Sequence, residues 1–225
     1  MSPAGNIFLR DEAVERANAH SPFLRESMQA MPHILHAFAD EGADHAIREA
    51  LDLRDSEVEA ELRRQRLCLA LAVALGDLSG ELPLERVTAE LSDFADAAID
   101  RALAQAIRER VPEAACEGFA VIAMGKLGSR ELNYSSDVDL ILLFDPERLP
   151  RRERDDPGEA AVRFGRRLIE ILQRRTADGY VARVDLRLRP SPEVTPIALP
   201  VNAAISHYES SALPWERAAF IRARA

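Results

Sequence analysis

Hydrophobic residues in the first half of the chain recur every three or four positions, the spacing of helices that bury one face. Ser21 followed by Pro22 is a typical helix start. One buried face is predicted to consist of Val58, Leu62, Leu69 and Val73, with Gly76 ending that helix. A second face follows Pro83 and consists of Leu84, Val87, Leu91, Phe94, Ala98 and Ala102. The pattern predicts a helical N-terminal region over residues 1–112.

The pattern changes after residue 112. The apolar run from Phe119 to Met124 has the length of a buried strand, and a second strand is predicted to open at Asp137. A helix over residues 159–175 is predicted to bury Ala161, Phe164, Leu168 and Leu172. These elements predict an α+β fold, in which a domain with a small mixed sheet occupies residues 113–225.

A strand is predicted over residues 180–189, because charged and apolar residues alternate from Arg183 to Arg189. One face of this strand would carry Val184, Leu186 and Leu188, and the other Arg183, Asp185, Arg187 and Arg189. Pro214 is predicted to open a helix that continues to the end of the chain.

Two aspartates open the second strand of the predicted sheet. Because side chains alternate faces along a strand, Asp137 and Asp139 project side by side. Two carboxylates so close repel each other by a few kcal/mol at an effective dielectric constant of about 20. A cation would relieve that repulsion, and hard oxygen ligands suit Mg²⁺. A solvated strand end is the alternative interpretation of an Asp-x-Asp pair.

A glycine-bearing turn lies between the two strands. Its backbone N–H groups, together with Lys126 and the Ser129 hydroxyl, could contact a phosphate. Lys126 is the only lysine of the chain, and a compact ammonium suits a point contact with phosphate. The candidates for phosphate or nucleotide binding here are Gly125, Lys126, Gly128, Ser129 and Ser136.

A third carboxylate stands among arginines on the predicted strand over residues 180–189. Asp185 is the candidate third metal ligand and would act beside two metal ions, as two-metal sites require. Arg187 and Arg189 are candidates for holding phosphate oxygens. A plain solvated strand could show the same alternation.

The order of these features resembles nucleotidyltransferases of the polymerase-β type: a strand, a glycine turn, then Asp-x-Asp on a further strand. The resemblance implies a nucleotidyltransferase core over residues 113–225, preceded by the helical region. It also implies that Asp137, Asp139 and Asp185 are the catalytic, metal-binding residues, with Mg²⁺ as cofactor and two ions expected.

Composition excludes several classes of protein. A net charge of −9 argues against a nucleic-acid binder that works by neutralising phosphates. Cys68 and Cys116 have neither metal-site nor redox spacing, so a reduced, cytoplasmic setting is expected. The sequence shows neither a signal peptide nor an apolar run near twenty residues, so neither export nor a membrane partner is expected.

Three longer blocks resemble the glutamine synthetase adenylyltransferase/adenylyl-removing enzyme family. They are GKLGSRELNYSSDVDL (125–140), DGYVARVDLRLRP (178–190) and WERAAFIRAR (215–224). Members of this family carry two related nucleotidyltransferase halves, and these blocks look like the N-terminal, adenylyl-removing half. One departure is Ser129, where the family usually has a second glycine.

The family resemblance implies a reaction and its partners. The removing half attacks the AMP–tyrosine bond of adenylylated glutamine synthetase with inorganic phosphate and releases ADP. The implied partners are therefore adenylylated glutamine synthetase, phosphate, adenine nucleotide and, at the level of the family, the PII nitrogen-signal protein. Because family members continue beyond the last block, the chain is expected to be a C-terminally truncated N-terminal half, without the adenylylating activity of the other half.

Two alternatives stay open at the level of sequence. The chain could be a catalytically incompetent fragment that only binds a nucleotide or a partner. It could also be a nucleotidyltransferase that acts on another protein or on a small molecule. Release of ADP from adenylylated glutamine synthetase separates the enzyme from both.

Overall fold

A computed structural model describes the backbone of residues 3–225 and the side chains from residue 9 onward. Contacts divide the chain into two compact units, Met1–Phe94 and Ala95–Ala225. The boundary falls inside one helix, α6 (Leu84–Arg108). The predicted boundary after residue 112 lies just beyond the C-terminal end of that helix.

Helices form the first unit, as the hydrophobic spacing predicts. In chain order they are α1 (Pro3–His20), α2 (Pro22–Ala30), α3 (Pro32–Glu41), α4 (Ala43–Asp52), α5 (Val58–Ser79) and the start of α6. Their apolar faces meet in one core, whose large members include Met28, Ile34, Phe38, Ile47, Leu69, Leu71 and Leu75. Burial of these side chains is the main stabilising contribution to the unit.

A local signal sets the start of α2. The Ser21 hydroxyl accepts a hydrogen bond from the Leu24 amide at 3.2 Å, and Pro22 occupies the first helical position, so the predicted cap is confirmed. Leu84, predicted to be buried, is instead 69% exposed, because it is the first residue of α6.

The predicted end of α5 at Gly76 is wrong. The helix continues to Ser79 and ends with Gly80 in the left-handed conformation, φ +76°. Gly76 lies inside the helix. A Cβ at this position would stand 2.6 Å from Leu82 Cδ1 and 2.7 Å from Ala43 Cβ, so a larger residue would not fit. Close packing, and not chain reversal, therefore explains that glycine.

A small mixed sheet is the centre of the second unit, which confirms the predicted α+β class. Its strands are β1 (Phe119–Met124), β2 (Val138–Phe144), β3 (Val184–Asp185) and β4 (Ala198–Pro200). β2 is central: it pairs antiparallel with β1, and parallel with β3 at its start and with β4 at its end. The remaining elements are α7 (Gly125–Gly128), α8 (Pro157–Gln173), α9 (Val201–Ser210), α10 (Pro214–Ala219) and a 3-10 turn, Phe220–Arg222.

Helix α8 packs against the sheet. Its predicted inward residues are all buried: Ala161, Phe164, Leu168 and Leu172. Asp156 caps the helix, since its carboxylate accepts the Glu159 amide hydrogen bond at 3.0 Å. Through its buried face, α8 packs against β4 and β3.

Two predicted elements of the second unit are shorter than expected. The strand over residues 180–189 is wrong, because only Val184 and Asp185 pair with β2. The helix from Pro214 to the chain end is also wrong, because α10 stops at Ala219 and Arg224 pairs with the backbone of Ala123. Among the described residues, no helix has both the length and the apolar character that crossing a membrane requires.

Candidate active site

Three carboxylates gather at one end of the sheet. Asp139 in β2 stands in register with Met124 of β1 on one side and with Asp185 of β3 on the other. Asp137 lies two residues before Asp139 and so projects on the same side of the chain. The Asp137 side chain is about half exposed, whereas Asp185 keeps 13% of its side-chain surface. The three predicted acidic site residues are thus brought together.

The charged form of the central carboxylate, Asp139, is disfavoured by its surroundings. Burial raises its pKa above the ordinary value, repulsion from Asp185 and Asp137 raises it further, and Arg187 partly offsets both. None of the described residues donates a hydrogen bond to this side chain. The corner therefore has an excess of negative charge centred on Asp139, which a bound cation would relieve.

Arginines neutralise the two outer carboxylates. Arg183 donates from Nε to Asp137 and from Nη2 to the Ser135 carbonyl, and its Nη1 donates to the Tyr180 hydroxyl at 3.0 Å. Arg187 donates from Nε to Asp185 Oδ2 at 2.8 Å, and this pairing lowers the pKa of Asp185. The outer carboxylates are thus held in ion pairs.

The predicted metal set fits Mg²⁺ in its chemistry, because three carboxylates offer only hard oxygen ligands. Within the described part of the chain, however, no three Asp, Glu, His or Cys side chains already stand at the spacing of a metal site. Asp137 and Asp185 are directed at Arg183 and Arg187 instead. These guanidinium groups occupy the positions beside the carboxylates that a metal ion would compete for, and metal binding stays a prediction.

The glycine turn lies against the central carboxylate. α7 follows β1 directly, and Gly125 adopts a positive φ of +56°. A Cβ at this position would stand 2.6 Å from Asp139 Oδ2, so a glycine is required both by conformation and by space. Lys126 is exposed beside it, and its ammonium makes no hydrogen bond or ion pair with the described residues. It is available to an incoming anion.

The other candidates of the turn hold the turn itself. The Ser129 Oγ lies 3.1 Å from the Gly125 carbonyl oxygen and 3.0 Å from a Glu131 carboxylate oxygen, and its one proton can be donated to either acceptor. The Ser136 hydroxyl donates to Asn133 Oδ1 at 2.7 Å and closes the loop that leads into β2. A role of these hydroxyls at a phosphate stays a prediction.

The two arginines predicted to hold phosphate differ in this structure. Arg187 has a side chain that is 85% exposed and lies beside Asp185. Arg189 instead donates to the Leu186 carbonyl at 2.9 Å and to the Pro192 carbonyl at 2.7 Å, which fixes the loop after β3. Arg187 is therefore the better placed of the two to reach a phosphate anion from solvent.

Sequence reasoning missed two supporting residues in the last block. Glu216 is buried, and its carboxylate accepts the Leu213 amide hydrogen bond at 2.7 Å and lies 3.0 Å from His207 Nε2. Arg224 contacts the end of the glycine turn, with Nη2 3.0 Å from the Leu127 carbonyl. The only signal in the sequence was their place in the block at 215–224.

Comparison with known proteins adds the family context. The family model described as Glutamate-ammonia ligase adenylyltransferase matches residues 12–225. Two similar relatives are named bifunctional glutamine synthetase adenylyltransferase/adenylyl-removing enzyme. That of Rhizobium meliloti (strain 1021) is 42% identical over 233 residues, covering 92% of this chain and 24% of the relative. That of Caulobacter vibrioides (strain ATCC 19089 / CIP 103742 / CB 15) is 48% identical over 174 residues, covering 72% and 18%. The chain thus spans a quarter or less of the length of these curated relatives.

Proposed function

Because this chain belongs to the glutamate-ammonia ligase adenylyltransferase family, we propose that it removes AMP from adenylylated glutamine synthetase. The reaction would be phosphorolysis at a nucleotidyltransferase-type site. The observation that carries the proposal is the corner where Asp139 stands between Asp137 and Asp185 and against the glycine turn. The sequence blocks that resemble the adenylyl-removing half support this direction over AMP addition.

The proposed reaction is a displacement at phosphorus. An oxygen of hydrogen phosphate attacks the phosphorus of the AMP–tyrosine diester, and the bond from phosphorus to the tyrosine oxygen breaks. The proton of hydrogen phosphate ends on the tyrosine oxygen, so the products are ADP and unmodified tyrosine. Charge accumulates on the phosphoryl oxygens during the displacement, and a catalyst must stabilise that charge.

The residues of this chain have distinct parts in that reaction. Asp137, Asp139 and Asp185 would hold Mg²⁺, which supplies charge neutralisation at the attacking and leaving oxygens. Lys126 extends from the turn as a point charge for a phosphate group. Arg187, with its exposed side chain, would exchange Asp185 for a phosphate oxygen when a metal ion takes that carboxylate.

Product analysis tests the proposal. The chain is incubated with adenylylated glutamine synthetase, phosphate and Mg²⁺, and the released nucleotides are separated by chromatography. ADP that requires both phosphate and Mg²⁺ supports the proposal. Release of AMP without phosphate would indicate hydrolysis, and tight ADP binding without any release would favour a binding module.

Lys126→Met is expected to weaken ADP binding roughly ten- to a hundredfold, since one charged hydrogen bond contributes about 1.5–3 kcal/mol. The fold should be unchanged, because the ammonium contacts no described residue. Lys126→Arg should recover only part of the affinity, because a planar guanidinium does not replace a point charge. Calorimetric titration with ADP and Mg²⁺ measures this, with Arg154→Met on an exposed loop as the matched control. Equal affinities of Lys126→Met and wild type would make Lys126 an ordinary surface residue.

A further inference from the structure

We propose that Arg224 is a positioning residue for the active site, held by Asp96, and that it fixes the glycine turn against the central carboxylate. The proposal rests on the proposed function for the identity of the site. It assigns a role to a segment, residues 222–224, that lies about a hundred residues from the turn in the sequence. The role follows from four contacts.

The first contact is made by the backbone. The Ala123 amide donates to the Arg224 carbonyl at 2.7 Å, and the Arg224 amide donates back to the Ala123 carbonyl at 2.9 Å. Because both polar groups of Ala123 are used here, the segment lies on the edge of β1 that faces away from β2. Segment 222–224 thus pairs with β1 at Ala123, one residue before Met124, which is the N-cap of α7.

The second contact is made by the guanidinium at the end of the turn. Arg224 donates from Nη2 to the Leu127 carbonyl at 3.0 Å and from Nε to the Gly128 carbonyl at 3.4 Å. These are the last two carbonyls of α7, and the Leu127 carbonyl also accepts a hydrogen bond from the Arg130 amide at 3.0 Å. The guanidinium adds a charged donor to both carbonyls and complements the partial negative charge at this end of the turn.

The third contact fixes the guanidinium itself. Asp96, on α6, accepts from Arg224 Nη1 at 2.7 Å and from Nη2 at 3.1 Å. This bidentate geometry holds the planar group in one orientation. Both side chains are about two-thirds buried, so solvent competes with the pair less than it would at an open surface.

The fourth contact explains the second glycine. A Cβ at Gly128 would stand 1.7 Å from the Arg222 carbonyl oxygen and 2.7 Å from the Ala123 carbonyl oxygen. Gly128 therefore admits the segment 222–224 to the turn. Its predicted role as a phosphate contact is not needed to account for a glycine at this position.

The Arg224 side chain is connected to the three carboxylates through the turn. The far end of α7 is fixed by Arg224, and its near end, Gly125, lies against Asp139. Lys126 stands between the two ends. Loss of Arg224 should thus let the turn shift and misplace Lys126, while the carboxylates keep their strand positions.

The test is a double-mutant cycle on ADP binding, measured by calorimetric titration with ADP in the presence of Mg²⁺. Arg224→Gln should weaken ADP binding roughly tenfold or more, as loss of an outer supporting contact does. Asp96→Asn, which leaves the backbone pairing with Ala123 intact, should lose affinity in the same direction. Arg217→Gln is the matched control, because that side chain is exposed and donates to the Glu209 carbonyl at 3.4 Å, away from the turn, and it should bind ADP as wild type does.

The cycle with Lys126→Met separates positioning from general stability. If Arg224 acts through the turn, the combined variant Lys126→Met/Arg224→Gln should lose less than the product of the two single losses. Multiplicative losses would overturn the proposal, and so would wild-type affinity in Arg224→Gln. If Arg224→Gln fails to fold, the same cycle with Asp96→Asn decides by the same criteria. If the wild-type chain releases no ADP, the proposed function is contradicted but the positioning role of Arg224 is not, because ADP binding is measured without the protein substrate.

Discussion

Replacing Asp139 with Asn should lower ADP release roughly a thousandfold or more, because the metal ions proposed at this corner would contribute several kcal/mol to stabilising the transition state. The same variant should unfold at neutral pH no more easily than wild type. In wild type the pKa of Asp139 is raised, because burial and repulsion from Asp185 and Asp137 disfavour the charged carboxylate in the folded chain. Asn keeps the shape and removes that charge.

The sign of this effect depends on pH. A carboxyl group with a raised folded pKa binds protons more tightly in the folded state, so it costs stability as pH rises from the usual aspartate range through the folded pKa. The free energy of unfolding of wild type should thus fall, relative to that of Asp139→Asn, as pH rises through that window. Urea unfolding at the two ends of the window measures the difference.

Asp185 provides the contrasting case. The hydrogen bond from Arg187 lowers the pKa of Asp185, so its contribution to stability is present above the unfolded pKa and is lost as pH falls through the folded one. Asp185→Asn should therefore destabilise the protein at neutral pH while also removing activity. If Asp139→Asn and Asp185→Asn shift the unfolding midpoint in the same direction, the charge distribution described for the corner is wrong.

Gly125→Ala should have the second-largest effect, a loss of most activity together with a loss of stability. The left-handed conformation costs a non-glycine residue about 1–2 kcal/mol, and the new methyl group would stand 2.6 Å from Asp139 Oδ2. The carboxylate would have to turn away, or the turn would have to move. Either change alters the arrangement of the three carboxylates.

Gly80→Ala is the matched control for that variant. Gly80 has a similar positive φ of +76°, but no atom lies within 4 Å of a Cβ at this position. Both variants should lose a comparable amount of free energy of unfolding from backbone strain, and only Gly125→Ala should lose ADP release. Comparable activity of the two alanine variants would show that the close approach of Gly125 to Asp139 has no functional consequence.

Local signals predicted the parts of the site whose structure is decided locally. The apolar run of β1, the carboxylates that flank the start of β2 and the buried face of α8 all follow from short-range patterning, and the structure has them. The neighbourhood of Asp185 was also anticipated, although only as a third carboxylate on a longer strand. In the structure it stands in register with Asp139.

The strand over residues 180–189 shows why alternation alone was insufficient. The Asp185 carboxylate accepts a hydrogen bond from the backbone amide of Arg187 at 2.8 Å, which offers the chain a turn in place of a further ladder bond. Arg189 then donates to the Leu186 carbonyl of that turn and stabilises it. A side chain that bonds its own backbone competes with the sheet, and the apolar pattern carries no sign of this competition.

Pairs of residues far apart in the chain could not be predicted from local sequence patterns. Arg224 and Ala123 lie about a hundred residues apart, and nothing in the local sequence near Arg224 predicts a partner on β1. The local pattern there favoured a helix. The competing contact, with a carboxylate of α6 and two carbonyls of α7, is visible only when the chain is folded.

The most direct test of the central claim follows the phosphate. The chain is incubated with adenylylated glutamine synthetase, Mg²⁺ and ³²P-labelled inorganic phosphate, beside the Asp139→Asn variant. Phosphorolysis at the described corner predicts that the label appears in the β-phosphate of ADP with wild type and is nearly absent with the variant. ADP without label, or equal labelling by wild type and Asp139→Asn, would contradict the account.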